Sequence, residues 1–263
     1  LLLNVCLFFI TISAQAALHD TLFVADYGVH PNTYEDQTAR LQTLIADCKR
    51  WKSKAIVFQS GRYDLWPTDA SRCKYYISNT SSETECPSKV KTIGLLFEDM
   101  SALTIEGNDA TLMFHGKMTM LSFAHCKEMR LQNIHFDFER PGGSELTYLK
   151  VDAHGVTARV HPDSEFAIVE GMMWIGEGWR TNKPHCIEYD PTNKHFYYSR
   201  GWDILSQAKA VELSPNVVHF ATDLAKDFKE NHTITVRDII RDQVGMFLFE
   251  SQNVTFYNVG MHY

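Results

Sequence analysis

The sequence predicts an all-β chain: a right-handed parallel β-helix with an N-terminal capping α-helix and an inserted antiparallel β-barrel. Three observations carry this. Short stretches of alternating polarity recur with Asn, Asp or Gly at their corners. An amphipathic helix and a short apolar strand precede them. A run of strands with hairpin signals interrupts them.

The helix comes first in the chain. Thr33 with Asp36 three residues on is a start signature, a hydroxyl cap followed by an acid near the positive helix end. Ala39, Leu41, Leu44, Ile45, Cys48 and Trp51 then place one apolar stripe on a helix over 34–50. Ala55-Ile56-Val57-Phe58 reads as a buried strand stopped by Ser60-Gly61. Such a stripe needs a partner, and the open end of a stack of parallel strands supplies one.

The recurring segments are Ser101–Phe114, Glu128–Phe138, Asn231–Ile240 and Ser251–Tyr263. Each reads polar turn, alternating strand, Asn/Asp/Gly corner, second short strand. Ile105 to Leu131 and Ile234 to Val254 are steps of 26 and 20 residues, within the range of one solenoid coil. Asn133 and Asn258 are the corner residues expected to adopt left-handed backbone and to bond their own kind in the next coil.

Pro141-Gly142-Gly143 breaks the pattern. From Glu145 to Phe220 alternating strands follow, with a clear hairpin at Asp190-Pro191-Thr192-Asn193-Lys194. The expected segmentation is a leader over 1–16, capping helix and first coils over 17–140, barrel over 141–232 and resumed coils over 233–263. Since the last coil has no cap, truncation at Tyr263 is expected.

With 263 residues, 44% hydrophobic and 22% charged, the chain is long enough for a large core. A formal charge of −7 and no basic stripe argue against a nucleic-acid partner. The opening LLLNVCLFFITISAQA ends in a small-x-small pattern, a signal peptide cut after Ala16 and hence a periplasmic or secreted protein. No membrane span is expected, because that run is too short and no other is longer. Beyond Cys6 five cysteines remain, and Cys73 with Cys86 is the pair placed to bridge. No zinc spacing, phosphate loop or nucleophile elbow occurs, and no cofactor or metal is expected.

Val24-Ala25-Asp26-Tyr27-Gly28, the helix, and Val57-Phe58 with Gly61 and Tyr63 resemble the N-terminal cap of pectin-lyase-like β-helix proteins. More narrowly, Glu170–Trp174, Glu188–Pro191, Thr235–Asp238 and Gly260–Tyr263 resemble glycoside hydrolase family 110. That resemblance implies an exo-acting inverting α-1,3-galactosidase acting on terminal α-galactose, including blood-group-B-type glycans, built as a β-helix with inserted barrels. It also implies that the acid and base carboxylates lie beyond Tyr263, so this chain alone is expected to be inactive. Homodimerisation is left open.

Inverting hydrolysis needs one protonated and one ionised carboxyl with room for water between them. Asp137 with Glu139 reads chiefly as a solvated turn. Asp238, Arg241 and Asp242 share one corner, either as an ion pair or as fixed donors and acceptors for sugar hydroxyls. Glu250 ends the strand Met246–Phe249, and His262 ends the last coil. These five, Asp238, Arg241, Asp242, Glu250 and His262, are the expected substrate contacts. Trp174, Trp179 and Trp202 read as barrel core or as sugar platforms, and His115 as a turn residue. The rival readings are a polysaccharide lyase or polygalacturonase, which would want clustered Lys/Arg or calcium-binding Asp, and a non-enzymatic glycan-binding module.

Overall fold

The computed structural model describes residues 19–76, 88–178, 181–238, 240 and 243–262. The leader, Cys86, Trp179, Arg241 and Asp242 lie outside them. The chain is mostly β and divides into two compact units, Leu1–Glu139 with Asp242–His262, and Arg140–Arg241.

The first unit opens with β1 (Thr21–Phe23), a 3-10 turn and α1 (Thr38–Trp51). There follow β2 (Ala55–Val57), β3 (Gly61–Leu65), β4 (Ser71–Lys74) and β5 (Val90–Glu98). Next come β6 (Thr104–Phe114), β7 (Thr119–Ala124) and β8 (Arg130–Phe138). The second unit carries β9 (Gly143–Asp152), β10 (Gly155–Val160), β11 (Phe166–Val169), β12 (Met172–Ile175) and β13 (His185–Asp190). It continues with β14 (His195–Tyr198), the short α2 (Gly201–Leu205), β15 (Lys209–Ser214), β16 (Val217–Ala221) and β17 (Thr233–Arg237). The chain then rejoins the first unit with β18 (Met246–Phe249) and β19 (Thr255–Met261).

In the first unit β1-β2-β6-β8-β19 form one parallel sheet, with β3 also beside β6, while β18-β7-β5-β4 form another. The second sheet is mixed, since only β4 runs antiparallel. Ile105 pairs with Leu131, as the first expected step has it, whereas Leu131 pairs next with Phe256 and the expected step from Ile234 to Val254 does not occur, because Ile234 pairs within the second unit. Alternate residues point inward: Ile105, Leu112, Phe114, Leu131, Ile134 and Phe136 are buried in one core with Phe97, Leu121 and Phe123.

Between strands the chain turns through left-handed residues that recur in three columns. Asp99, His125 and Glu250 form one, Ala102, Glu128 and Asn253 a second, and Asn108, Asn133 and Asn258 the third. Such backbone costs a non-glycine residue roughly 1–2 kcal/mol, and the bonds between successive turns offset it. His125 N–H donates to Phe249 O and Glu128 N–H to Gln252 O. In the Asn column the side chains add to this: Asn258 donates to Asn133 Oδ1 at 3.1 Å, and Asn133 donates to Glu106 at 2.9 Å. Gly107 lies so close to this corner that a Cβ there would meet Asn133 O at 2.3 Å.

The helix begins later than expected. α1 starts at Thr38, and Thr33 accepts from the Gln37 side chain where a cap was expected. Asp36 receives the Thr38 N–H instead, at 2.9 Å. Its buried stripe is Thr38, Leu41, Leu44, Ile45 and Cys48, with Thr38 taking the place expected for Ala39. Gln42 bonds the Gly94 carbonyl of β5 at 2.7 Å, tying the helix to the core strands it covers.

The second unit is a seven-stranded antiparallel sheet ordered β14-β13-β17-β9-β10-β16-β15, plus the β11-β12 hairpin. The Asp190–Lys194 turn closes β13 on β14, as its sequence predicts. Strand β17 differs from the sequence reading, which grouped it with the coils. Ile234 pairs antiparallel with Leu146 and with Glu188, inside the second sheet. Trp202 is fully buried and donates to Asn182 O at 2.9 Å, so it is core and no platform.

Asn133→Ala loses the Asn258 and Glu106 bonds and keeps the left-handed strain, so it should destabilise the first unit by about 2–4 kcal/mol in denaturant titration. Asn133→Gly relieves the backbone and should lose less. Burial acts to raise the Glu106 carboxyl, but bonds from Asn108 N–H, Asn133 and Gln132 outweigh it and hold the value below the ordinary one. That contribution is present above the ordinary glutamate value of about 4.3 and is lost as pH falls through the lowered one. The acid loss of stability should be shallower in Asn133→Ala, read as Tm against pH.

Candidate functional site

The parallel register lines up three outward columns at the ends of β3, β6, β8 and β19. Arg62 pairs with Thr111, Thr111 with His135, and His135 with Gly260. Two residues on, Asp64 pairs with Met113 and Met113 with Asp137, and His262 N–H donates to Phe136 O beside them. Beyond the inward Leu65, Phe114 and Phe138, the chain presents Trp66, His115 and Glu139; His115 N–H bonds Leu65 O and Glu139 N–H bonds Phe114 O.

Four of these side chains form one charged network. Asp64 is fully buried and accepts from Arg62 Nε at 3.0 Å, while its Oδ1 lies 2.9 Å from His115 Nε2. Arg62 Nη2 also reaches Glu139 Oε2 at 2.7 Å, and the indole of Trp66 stacks on the His115 ring at 3.7 Å. Thr38, the first residue of α1, receives the Trp66 N–H at 2.9 Å, so the helix start fixes this end of β3. Hydrogen bonding to Asp64 and then Glu139 outweighs burial and raises the Arg62 guanidinium above its ordinary value. Ligand atoms of Asp64, His115 and Glu139 lie within 4.8 Å of one another, a metal-like spacing, but the Arg62 guanidinium already supplies a positive charge to both carboxylates.

His135 and His262 lie side by side with ring centroids 5.8 Å apart. Gly260 between them leaves the space, since a Cβ there would meet His135 Nδ1 at 2.3 Å and His262 Nε2 at 3.3 Å. Asp137 shares their columns, with Oδ1 accepting its neighbour's Phe138 N–H at 2.8 Å. His262 is exposed, and Asp137 and His135 are half-buried.

Of the five expected contacts, Arg241 and Asp242 lie outside the described residues, and of the other three only His262 falls on this face. Glu250 sits at a left-handed corner and pairs with His125 at 3.2 Å. Asp238 belongs to the second unit, where its Oδ1 accepts Ile240 N–H at 3.0 Å. Sequence reasoning missed Arg62, Asp64, Trp66 and His135, and read His115 as a turn. The signal was available: Trp66, His115 and Glu139 each follow the apolar residue that ends a strand, which is what stacked coils would align. Burial raises the thiols of Cys48, Cys73, Cys126 and Cys186, so none of them is an activated nucleophile.

Residues 144–231, within the antiparallel unit, match the family described as GLAA-B beta-barrel domain I. Over 252 residues, 95% of its length, the chain is 50% identical to alpha-1,3-galactosidase A of Bacteroides fragilis strain YCH46, covering 42% of that protein. It is 31% identical over 226 residues to alpha-1,3-galactosidase A of Bacteroides thetaiotaomicron, 83% of this chain and 38% of that one. Against alpha-1,3-galactosidase B of Phocaeicola vulgatus it is 29% identical over 270 residues, 100% of this chain and 44% of the relative.

The fold and the family match first define a class, mostly-β chains that carry a barrel module. The chain belongs to the bacterial alpha-1,3-galactosidase family, glycoside hydrolase family 110. It spans about two fifths of the length of the curated relatives it matches. Among the described residues no helix is long and apolar enough to cross a membrane.

Removing the Asp64 charge leaves Arg62 with only the exposed Glu139 and takes the carboxylate from His115, so Asp64→Asn should destabilise the first unit by about 3 kcal/mol in chemical denaturation. Glu139 is well exposed and solvent screens its pairing, so Glu139→Gln should cost less than about 1 kcal/mol.

Proposed function

We propose that this chain is the front part of an exported, exo-acting α-1,3-galactosidase that removes terminal α-galactose with inversion, including from blood-group-B-type glycans. The observation that carries the reading is half identity over nearly the whole chain to alpha-1,3-galactosidase A of B. fragilis. In this reading the first unit is the start of a right-handed parallel β-helix. Three columns of left-handed corners and the parallel pairing of β6, β8 and β19 support that. The antiparallel unit is a barrel inserted between coils, supported by the match to a barrel domain over 144–231.

Within that enzyme the Asp64–Arg62–His115–Glu139 network is structural. Its buried carboxylate is fixed by two cationic or hydrogen-bonding partners, which suits it to holding strand ends and unsuits it to exchanging a proton. His262, His135 and Asp137 form the substrate-facing edge. An exposed imidazole with a carboxylate in the same columns offers donors and acceptors to galactose hydroxyls. Asp137 and Glu139 also make the face acidic, which disfavours the polyuronate substrates of a lyase. The acid and base carboxylates come from strands that stack next on β19, whose Phe256 and Tyr257 are 40% and 60% exposed.

Purified chain incubated with α-1,3-galactobiose should release no galactose, whereas the full-length protein should release β-galactose first, followed by NMR of the anomeric signals. In the full-length protein His262→Ala should raise KM about tenfold, roughly 1.4 kcal/mol of binding. Turnover by the isolated chain, or retention of the α-anomer, would sink the reading.

A further inference from the structure

The second unit holds a cavity that the galactosidase reading leaves unused. It has a volume of about 800 Å³, within the range that holds small ligands, and every residue lining it belongs to this unit. Its wall mixes three kinds of group. Glu188, Asp203, Asp223 and Asp227 present carboxylates, Arg200 and Gln207 present N–H donors, and Tyr197 and Tyr198 present rings. Strand β14, which supplies both tyrosines, is an edge strand exposed along its whole length, and Tyr198 is 67% exposed.

The floor is built. Glu188 is 5% exposed, with Oε2 accepting Ser199 Oγ at 2.6 Å and Oε1 lying 2.7 Å from His232 Nδ1. Tyr148 is fully buried and its hydroxyl has no partner among the described residues. That hydroxyl lies against Gly201, where an added Cβ would meet it at 2.7 Å, and its ring packs edge-on to Phe228 at 5.3 Å. Gly201, Phe228 and Glu188 all line the cavity, and burial first, then the Glu188 charge, holds the Tyr148 phenol far above its ordinary value. An unpaired buried hydroxyl is costly, and such a group beside a cavity is a place where a ligand atom finds a partner.

We propose that this cavity is a second glycan-binding site, taking a neutral oligosaccharide on the barrel unit independently of any hydrolytic cleft. A neutral sugar fits because each hydroxyl both donates and accepts, matching a wall of interspersed acceptors and donors. One pyranose face stacks on an exposed tyrosine. A hydroxyl entering beside Gly201 gives Tyr148 its missing bond. A uronate would meet net negative charge. A metal ion would need three ligands converging, and among the described residues the only such group is in the other unit. An amine would want the carboxylates gathered at one point, and that same grouping is absent here.

The test is binding of the 263-residue chain to α-1,3-galactobiose, lactose and maltotetraose by titration calorimetry, with galacturonate oligomers and spermidine as comparisons. At least one neutral sugar should bind saturably. Tyr198→Ala and Asp223→Asn, both on exposed side chains, should each weaken it about tenfold, roughly 1.4 kcal/mol, with an unchanged circular dichroism spectrum. Tyr148→Phe should weaken it severalfold while leaving Tm equal or higher, which a merely structural hydroxyl would not do. No binding of any neutral sugar, binding indifferent to both surface variants, or a preference for spermidine or the uronate would overturn the proposal. None of these outcomes bears on hydrolysis, so the galactosidase reading stands or falls separately.

Discussion

The first unit depends on backbone that most residues avoid. Nine side-chain-bearing residues in three columns take left-handed conformations, among them His125, Glu128 and Glu250, which gain nothing from a small side chain. At roughly 1–2 kcal/mol each, these corners would not persist in an isolated turn. They persist where the corner N–H is taken by a carbonyl of the neighbouring strand segment, as Asp99 N–H is by Ala124 O, Ala102 N–H by Lys127 O, His125 N–H by Phe249 O and Glu128 N–H by Gln252 O, while Asn108 N–H turns to the Glu106 carboxylate. Stacking is thus the condition for the corner, and the corner is the condition for keeping the next strand in register. Side chains share the load in two of the columns, through Asn258, Asn133 and Glu106 in one and through His125 and Glu250, 3.2 Å apart, in another.

Register then creates the polar face. Because parallel partners keep one alignment through β3, β6, β8 and β19, residues far apart in sequence become neighbours in a column. Asp64 and His115 are 51 residues apart and 2.9 Å from each other. No motif scan along the chain detects such a pair. The inward half of the same strands was legible, because Ile105, Leu112, Leu131 and Phe136 alternate with polar residues and burial enforces the period. The outward half carries chemistry without periodicity, and so Arg62, Asp64 and His135 left no mark in the sequence.

The errors have the same origin. Alternation at period two describes Thr233–Arg237 equally well as a coil strand or as a hairpin-sheet strand, and only its partners, β9 and β13, decide. The helix stripe was correct from Leu41 to Cys48 because apolar spacing is a packing signal. Its start was four residues early because Thr33 spends its hydroxyl on the Gln37 side chain, which also bonds the His30 backbone. Local side-chain competition of this kind is invisible to a capping rule that counts spacing alone. By contrast the Asp190–Lys194 turn was secure, since Asp190 Oδ1 takes the Thr192 and Asn193 N–H groups and needs nothing from the rest of the fold.

The two units place polar groups by opposite means, and this bears on what each can do. In the parallel unit the columns mix polar and apolar residues, Asp64 with Met113 and Asp137, and Arg62 with Thr111, His135 and Gly260, so charges are neutralised between neighbouring columns; Arg62 between Asp64 and Glu139 does so, and the cluster is thereby spent on holding strand ends together. In the antiparallel unit alternate strands arrive from distant parts of the chain and no column repeats, so donors, acceptors and rings can be mixed around one cavity. There the buried Glu188 is held by Ser199 and His232 on its inner side while its neighbours Asp223 and Asp227 stay exposed. A carboxylate fixed at the floor with free ones at the rim is an arrangement for gripping a neutral, hydroxyl-rich molecule, whereas a fully paired carboxylate under a stacked indole is an arrangement for holding a fold.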